Sequence, residues 1–490
     1  MDFRISDFLC GMKDAGKYPI EFVAQMEALL GDDCHAFFEA LSHTSPTSIR
    51  LNPAKPTLPG ALPFALKAKI PWSSAGYYLS ERPSFTFDPH LHAGCYYVQE
   101  ASSMFVEQAF RHVQNCLGRM DLAALDLCAA PGEKSTLLAS LMSDDGVLVA
   151  NEVVKTRASI LAENLQKWGL PNVVVTSNEP SDFQDLAAAF DVILTDVPCS
   201  GEGMFRKDAD AISEWSPQRV EQCMKRQRDI LQQIWGSLKP NGYLIYSTCT
   251  YNKLENERNI EWIQETLGAE TLEIPLTHLP DTDNKPVKVV EKSGIHAYRF
   301  YPHKTQGEGF FLCLLKKKAL SDADIHSTNF SRPASKQQDK IKRSCDIPDA
   351  GKTMLFSHLR ASFQTFQNAR NELFQYPNSL KTWLLLFEKR LNVLYFGIKM
   401  GTMKGRDFVP DPALALSTAL DQNEVTVVDL SLKQAIDFLR KESFPLSENV
   451  QIGWVLVQYL GQPLGWMKHL GNRANNNYPS EWRIRSGNPY

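Results

Sequence analysis

Short apolar runs alternate with amphipathic stretches through the middle of this chain. The apolar runs are ALDLC (124–128), VLVANE (147–152), VVVTS (173–177), DVILTDVP (191–198), YLIYSTC (243–249) and GFFLCLLKK (309–317). Between them, residues 155–169 and 217–238 place apolar side chains at helical spacing, and they end at Gly169 and at the turn KPNG. Nearly continuous apolar strands that alternate with helices predict an α/β fold, in which a buried parallel sheet carries helices on both faces.

The pattern changes on both sides of this predicted core, which we place at residues 91–317. Residues 1–90 mix short helical patterns with a loop rich in Pro and Ala. The polar residues 318–350 predict a linker. Residues 351–425 predict a small intermediate domain that contains the strand VLYFGIKMG. Residues 426–490 predict a C-terminal domain with two aromatic-rich strands around the turn GQP, followed by a basic tail.

Composition narrows the classes of function. The formal net charge is −4, which argues against a generally basic nucleic-acid binder but is compatible with a local basic surface. The 10 cysteines are scattered without a CxxC pair, so we predict no metal site. The first residues lack the apolar region of a signal peptide, and no apolar run approaches the ~20 residues of a membrane helix. We therefore expect a soluble, cytoplasmic protein.

The stretch LDLCAAPGEKS follows a predicted strand and opens a predicted helix. Its small residues Ala129, Ala130 and Gly132 let a ligand approach the backbone closely, and Pro131 shapes the turn. The stretch contains neither GxGxxG nor the GK[ST] of a phosphate-binding loop. It is therefore either the binding loop of a cofactor that needs no phosphate cradle or only a tight turn.

Acidic residues end two other predicted strands. Glu152 is placed to accept hydrogen bonds from a ribose diol, and Asp196 ends the strand DVILTD. A small-residue loop with two acids and no phosphate cradle suits S-adenosylmethionine, which has a ribose and a sulfonium cation but no phosphate. The alternative for Glu152 is a solvated strand end.

Two cysteines follow predicted strands at the same edge of the sheet. Cys199 lies in the Gly-rich loop PCSGEGMFRKD, which also carries Arg206 and Lys207, and Cys249 follows YLIYST. A thiolate is reactive when it is partly exposed beside a positive group. Free cysteines are more often buried and inert. The residues alone do not decide which thiol reacts, or whether either does.

A set of motifs resembles the RNA cytosine-5 methyltransferases of the Nol/Nop/Sun family. They are DLCAAPGEKS, DVPCSGEGMFRK, KRQRDILQQIWGSLKPNGYLIYSTCTYNKLENE and EGFFLCLLKK, in the order and at the strand ends typical of that family. Upstream, TSIRLNP and YYVQEASSM look like the segments that precede the catalytic core of the family. The resemblance is dense over residues 91–317 and implies a Rossmann-like methyltransferase core that binds S-adenosylmethionine.

The resemblance also implies a mechanism and a set of site residues. In this family a thiolate adds to C6 of a cytosine, C5 takes the methyl group, and loss of the C5 proton releases the enzyme. By resemblance Cys249 attacks, Cys199 assists release, and Asp196 bonds the edge of the cytosine. The implied cofactor-binding residues are Cys128, Ala129, Ala130, Pro131, Gly132, Glu133, Lys134, Glu152, Asp196 and, after the third strand, Glu179. Asn178 and Asp182 are alternatives to Glu179.

The regions outside the core imply an RNA substrate. The C-terminal extension is similar to that of bacterial ribosomal enzymes of this family and ends in a PUA-like RNA-binding β domain, and we expect residues 1–90 to recognise RNA. The implied substrate is a cytosine in the decoding region of 16S rRNA, within the 30S subunit. The alternatives are a transfer RNA substrate or a non-catalytic ribosome assembly factor. Candidate contacts to the RNA backbone are Arg206, Lys207, Lys225, Arg226, Arg228, Arg483 and Arg485, although a solvated helix face equally explains those at 225–228.

Overall fold

The computed structural model describes residues 15–58, 60–277, 279–280, 284–290, 294–319, 363–388, 390–405 and 407–487. Residues 320–350 of the predicted linker and residues 351–362 of the predicted intermediate domain lie outside the described residues. Within the described ranges, no helix has the length and apolar character needed to cross a membrane.

The described chain starts with a helical hairpin and a small antiparallel sheet. The hairpin consists of α1 (Ile20–Leu30) and α2 (Cys34–Ser42). The sheet consists of β1 (Ser48–Leu51), β2 (Leu66–Lys69), β3 (Gly76–Leu79) and β4 (Tyr96–Tyr97), in the order β2-β3-β1-β4. The short helix α3 (Pro89–His92) lies between β3 and β4 in the chain. Phe22 of α1 packs on Phe205, and Phe37 of α2 packs on Tyr251. The hairpin therefore covers the two loops that carry the candidate thiols.

A 10-stranded mixed sheet forms the core. Its strands are β5 (Ala123–Asp126), β6 (Val147–Asn151), β7 (Val173–Thr176), β8 (Phe190–Asp196), β9 (Leu238–Thr248), β10 (Ala269–Leu272), β11 (Val287–Val290), β12 (His296–Phe300), β13 (Phe310–Lys317) and β16 (Val393–Phe396). The order is β11-β12-β13-β9-β8-β5-β6-β7-β16, and β10 also pairs with β13. β5 to β9 run parallel, which confirms the predicted α/β core, whereas β13 runs antiparallel to β9.

Helices cover both faces of this sheet. One face carries α4 (Val106–Leu117), α5 (Glu133–Leu141) and α6 (Lys155–Trp168), and the other carries α8 (Pro217–Ile234), α9 (Glu257–Thr266) and α10 (Asn378–Phe387), while the short α7 (Ala209–Glu214) packs against the N-terminal hairpin. In β8, Val192 and Leu194 face the first layer and Ile193 the second, because successive strand residues point to opposite sides. Burial on both sides explains the nearly continuous apolar runs. The predicted helix at 217–238 ends earlier, at Ile234.

The stretch VLYFGIKMG (393–401) forms two strands instead of the single one predicted. Its first half is β16, which pairs antiparallel with β7 at the edge of the core sheet. Gly397 has a φ of 56°, a left-handed conformation that favours glycine, and separates β16 from the next strand. That strand, β17 (Ile398–Lys404), joins β14 (Phe363–Gln367), β15 (Glu372–Pro377) and β18 (Asp407–Pro410) in a separate sheet. The predicted intermediate domain thus supplies a strand and helix α10 to the core.

The C-terminal region forms another small sheet. Its elements are α11 (Pro412–Leu416), β19 (Val427–Asp429), α12 (Leu432–Leu439), β20 (Gly453–Tyr459), β21 (Gln462–His469) and β22 (Ala474–Asn476), and the strands lie in chain order. The turn between the aromatic-rich strands is Leu460–Gly461, both with positive φ, so the GQP segment already enters β21. This sheet and the N-terminal sheet share one apolar cluster, the N–C core, which includes Ile49, Leu79, Tyr96, Phe438, Val455 and Met467.

Candidate active site

The loops predicted to carry the chemistry meet at one crevice. The strand order reverses at β5, because β6 and β7 lie on one side of it and β8 and β9 on the other. Ligands bind at the carboxyl ends of the strands beside such a reversal. The loop AAPGEKS follows β5, Cys199 follows β8 and Cys249 follows β9. The sheet therefore places the predicted cofactor loop and both thiols at its carboxyl edge.

The loop after β5 is held in a defined conformation where it enters α5. Gly132 has a φ of 113°, which favours glycine, and it precedes α5, whose first turn has no side-chain cap. Arg157 donates to the Ala130 carbonyl at 2.9 Å, and Asn164 donates to the Pro131 carbonyl at 2.8 Å, so both loop carbonyls are fixed. The uncapped N–H groups of α5 fit an anionic group such as the carboxylate of S-adenosylmethionine.

Glu152 lies at the end of β6 and is 3% exposed. Its Oε1 accepts the Val154 N–H at 2.9 Å, and its Oε2 lies 3.3 Å from the guanidinium of Arg157, which also binds the cofactor loop. This burial excludes a solvated strand end. A fixed carboxylate beside a glycine loop is the arrangement that binds a ribose diol in doubly wound sheets, so the residues present fit S-adenosylmethionine.

We expect Gly132→Ala to weaken binding of S-adenosylmethionine by about tenfold or more, since a left-handed backbone strains alanine by about 1–3 kcal/mol and the loop must shift to relieve it. An added Cβ would also lie 3.2 Å from Leu161 Cδ1. Isothermal titration calorimetry with S-adenosylmethionine measures the effect. Gly236→Ala is the matched control, because a Cβ there meets nothing within 4 Å. Equal affinities of the two variants would contradict the role given to this loop.

Glu179, the predicted acid after β7, is exposed. It precedes a short 3-10 turn in which Asp182 accepts the Glu179 N–H at 3.1 Å and Asn178 Nδ2 at 2.9 Å. Asn178 is buried and also bonds Asn151 at the end of β6. The choice among these side chains for the adenine side of the cofactor stays a prediction.

A buried lysine joins the cofactor loop to the end of β8. Lys134 Nζ lies 2.9 Å from Asp196 Oδ2 and 2.6 Å from Glu133 Oε1. Burial would lower the pKa of Lys134, but these two carboxylates raise it well above its usual value, so the lysine stays charged. Ser247 Oγ donates to the other oxygen of Asp196 at 2.8 Å. The Asp196 side chain is still 31% exposed, which leaves it accessible to a ligand in the crevice.

The Sγ atoms of Cys199 and Cys249 lie 3.1 Å apart, and both residues are partly exposed. The hydrogen bond with Cys249 and burial together raise the pKa of Cys199 well above the usual value of a thiol. Gly203 N–H donates to the Cys249 carbonyl at 2.7 Å and so fixes one loop against the other. The fold thus brings both candidate thiols into contact, with a hydrogen bond between the sulfur atoms in which either one can donate.

Two buried carboxylates that sequence reasoning missed connect the loops that carry the thiols. Glu202 Oε2 accepts the backbone N–H groups of Tyr251 and Asn252 at 2.7 and 2.9 Å. In the opposite direction, Glu255 Oε2 accepts the Ser200 N–H at 3.0 Å. Glu202 begins a short 3-10 turn within PCSGEGMFRK and Glu255 lies in YNKLENE, and neither motif shows by itself which backbone N–H groups these carboxylates bind. These carboxylates act on the positions of the thiols, which makes them positioning residues.

Asp126, at the end of β5, is another residue that sequence reasoning did not single out. It is fully buried, its Oδ2 accepts Ser135 Oγ at 2.7 Å, and its Oδ1 has no hydrogen-bond partner among the described residues. Burial raises the pKa of Asp126 to about 7. A carboxyl group that titrates near neutral pH directly before the cofactor loop is a candidate functional group.

The predicted RNA contacts divide into internal and exposed residues. Arg206 is wrong as an RNA contact, because its side chain is 5% exposed and donates to Glu308 at 2.9 Å and to the Gly307 carbonyl at 2.6 Å. Arg228 donates to Asn259 at 2.9 Å and is half-buried against α9. Five candidates are exposed, namely Lys207, Lys225, Arg226, Arg483 and Arg485, and Lys207 Nζ also lies 3.5 Å from Glu308 Oε1.

Comparison with protein families gives matches along most of the chain. The model described as 16S rRNA methyltransferase RsmB/F matches residues 119–316, the N-terminal domain of 16S rRNA methyltransferase RsmF matches 18–101, and the methyltransferase RsmF PUA domain matches 425–484. A Vibrio atlanticus protein named ribosomal RNA small subunit methyltransferase F is 31% identical over 481 residues, which cover 94% of this chain and 97% of that relative. The chain belongs to the RsmF family.

Another RsmF relative, from Escherichia coli, is 30% identical over 493 residues and covers 96% of this chain. Among solved structures, a methyltransferase homologue from Pyrococcus horikoshii has a TM-score of 0.52 at 27% identity, covering 65% of this chain and 100% of its own. NSun6 from the same organism, solved with SFG, has a TM-score of 0.51 at 19% identity and supports the fold alone. RsmF membership and the fit of the loop and Glu152 identify S-adenosylmethionine as the cofactor.

Proposed function

We propose that this chain methylates C5 of a cytosine in the decoding region of 16S rRNA, within the 30S subunit, through a covalent bond between Cys249 and C6. The observation that carries the proposal is the pair of sulfur atoms 3.1 Å apart at the crevice that holds the cofactor loop. A reaction with separate attack and release steps needs one sulfur to bond the base while a second group assists its departure. Membership of the RsmF family supports ribosomal RNA as the substrate.

Cys249 is the proposed nucleophile. The hydrogen bond with Cys249 and burial raise the pKa of Cys199, so we assign the thiol form to Cys199 and the thiolate form to Cys249. The Cys199 S–H then donates to the Cys249 sulfur and stabilises negative charge on it. This division of roles agrees with the resemblance, which assigns the attack to the cysteine of the STC motif.

Asp196 and Lys134 are the proposed stabilisers of the base after attack. Addition of sulfur to C6 moves electron density to N3, which takes up a proton from solvent and can then donate a hydrogen bond to a carboxylate. The Asp196 carboxylate, fixed by Lys134 and Ser247, is the proposed partner of the N3/N4 edge of the cytosine. The charge of Lys134 is in place before the reaction starts, so it stabilises the developing negative charge without reorganisation.

Release of the product requires the second thiol. S-adenosylmethionine supplies the methyl group as an electrophile attached to its sulfonium. Once C5 carries the methyl group, the C5 proton leaves to a base and the Cys249–C6 bond breaks, which restores the aromatic ring. Cys199 donates its hydrogen bond to the departing Cys249 sulfur and favours this elimination.

The regions outside the core support a large RNA substrate. A target base has to leave its stack to enter a crevice at strand ends. The N-terminal sheet and the region matched by the PUA model share the N–C core, so they form one body that can hold RNA around the target. The exposed Arg483 and Arg485 on this body, with Lys225 and Arg226 on α8, are the proposed contacts to the phosphate backbone.

The test compares substrates with methyl-labelled S-adenosylmethionine. Naked 16S rRNA, assembled 30S subunits lacking the modification and unmodified transfer RNA are each incubated with the chain, and the nucleosides are analysed by mass spectrometry. We expect 5-methylcytidine at one position of the 30S rRNA, and none with Cys249→Ala.

Each rival function predicts another result. Preferential methylation of transfer RNA would show that the proposed substrate is wrong. N4-methylcytidine or a methylated ribose in the product would show that the proposed site of methylation, C5 of cytosine, is wrong. A non-catalytic assembly factor predicts 30S binding without methyl transfer to any of these RNAs by a chain that does bind S-adenosylmethionine.

A further inference from the structure

We propose that Cys199 and Cys249 are also an oxidative modification site, at which a peroxide converts the thiol pair to an intramolecular disulfide that reversibly blocks the crevice. The loss of methyl transfer rests on the proposed function, whereas formation of the bond does not. The starting observation is again the 3.1 Å between the two sulfur atoms. A disulfide needs an S–S distance of about 2.05 Å, so the sulfurs have to approach by only about 1 Å.

The surrounding hydrogen bonds keep the two thiols together. Gly203 N–H bonds the Cys249 carbonyl at 2.7 Å, and Glu202 and Glu255 each cross from one loop to the other. The loops therefore do not have to find each other before the bond forms, which raises the effective concentration of one thiol at the other. Gly201 has a φ of 78° and gives the Cys199 loop room to adjust.

The oxidation balances with hydrogen peroxide as the oxidant. The Cys249 thiolate attacks one peroxide oxygen, which gives a sulfenic acid at Cys249 and releases water after protonation. The Cys199 sulfur then displaces the hydroxyl of this sulfenic acid, loses its proton, and forms the S–S bond with a second molecule of water. In total two thiols are oxidised by two electrons, and one peroxide is reduced to two waters. A thiol reductant reverses the bond by exchange.

The disulfide removes both groups that the proposed reaction uses. Cys249 no longer has a lone thiolate for C6, and Cys199 no longer has a proton for the departing sulfur. Cys223 on α8 is a useful contrast, because it is also partly exposed while burial raises its pKa to about 11. We expect Cys223 to remain reduced under conditions that link the pair.

Tryptic digestion tests the proposal directly, because residues 168–206 contain Cys199 as their sole cysteine and residues 229–253 contain Cys249 as theirs. The reduced full chain is treated with hydrogen peroxide, blocked with N-ethylmaleimide and analysed without reduction. We expect a chain lighter by two hydrogen atoms and a disulfide-linked pair of these peptides. Methyl transfer should fall at least about tenfold and return with dithiothreitol.

Variants make the outcome decisive. Cys199→Ser and Cys249→Ser should lose the linked peptides. In Cys199→Ser the remaining Cys249 should be oxidised to sulfinic acid, which dithiothreitol does not reverse, whereas Cys199 in Cys249→Ser should stay reduced. Cys223→Ser should behave as the wild type. The proposal is overturned if both peptides of the wild type carry N-ethylmaleimide, or separate sulfinic acids, after peroxide has modified other thiols. Because mass spectrometry detects the disulfide directly, the experiment tests its formation even if the chain has no methyltransferase activity.

Discussion

Cys249→Ala abolishes methyl transfer and the denaturation-resistant protein–RNA adduct together. We expect a loss of about three to four orders of magnitude in rate, the scale on which removal of a covalent nucleophile acts. The physical reason is that C5 of cytosine becomes nucleophilic only after a sulfur has added to C6. Labelled S-adenosylmethionine with 30S subunits measures transfer, and gel electrophoresis under denaturing conditions measures the adduct.

Cys199→Ala has the opposite effect on the adduct. The sulfur of Cys249 still attacks, but release lacks the hydrogen bond from Cys199, so the adduct accumulates while turnover falls. Cys223→Ala controls for loss of a partly exposed thiol elsewhere in the core. If Cys199→Ala removes the adduct and Cys249→Ala keeps it, the two roles are exchanged.

Asp196→Asn is the second large effect that we expect, with kcat lower by about 10²–10³-fold, the range for loss of one preorganised electrostatic contact. Asparagine keeps the size of the side chain and can still accept from Ser247, but it removes the charge that faces Lys134 and the base. The expected dissociation constant for S-adenosylmethionine changes less than about tenfold.

Separate measurement of binding and turnover distinguishes this role from a structural one. Glu133→Gln gives the comparison, because Glu133 is the other carboxylate on Lys134 Nζ but lies in the predicted cofactor loop, so its loss should change the dissociation constant for S-adenosylmethionine more than kcat. A fall in cofactor affinity that accounts for the whole loss in Asp196→Asn would make Asp196 a cofactor ligand instead of a stabiliser of the base.

The apolar pattern predicted the core well, because strands buried on both faces have no polar positions to obscure them. β5 to β8 fall where the runs ALDLC to DVILTDVP lie, whereas β9 begins at Leu238 and includes the stretch KPNG that was predicted as a turn. The direction of β13 was not predictable, since an apolar run reads the same in a parallel and an antiparallel pair. VLYFGIKMG is divided at Gly397 because its first half pairs with β7 in the core sheet and its second half pairs with β15 in another sheet. Pairing with distant strands is set by tertiary packing, so the local sequence did not predict the division.

The sequence indicated the two candidate thiols of the site, but it did not indicate the buried carboxylates that hold the thiol loops together. The positions of Cys199 and Cys249 after two predicted parallel strands indicated that they could meet at one crevice, but gave no distance between them, and the roles of the two thiols stay predictions. Glu202 and Glu255 bond backbone N–H groups, and no pattern of side chains indicates such bonds. Arg206 shows the opposite error, in which a structural residue was predicted to bind RNA. A basic residue in a loop suggests a phosphate contact, and only the structure shows that Arg206 is paired with Glu308.

The N–C core has a consequence for synthesis of the chain. It unites residues near position 49 with residues beyond position 430, so its halves are separated by almost the whole sequence. During translation the N-terminal sheet leaves the ribosome long before Phe438 and Met467 exist to cover its apolar side. Contacts of such long sequence separation form late and leave an intermediate prone to aggregation. A nascent chain of this protein therefore completes its fold only when the last small sheet has been made.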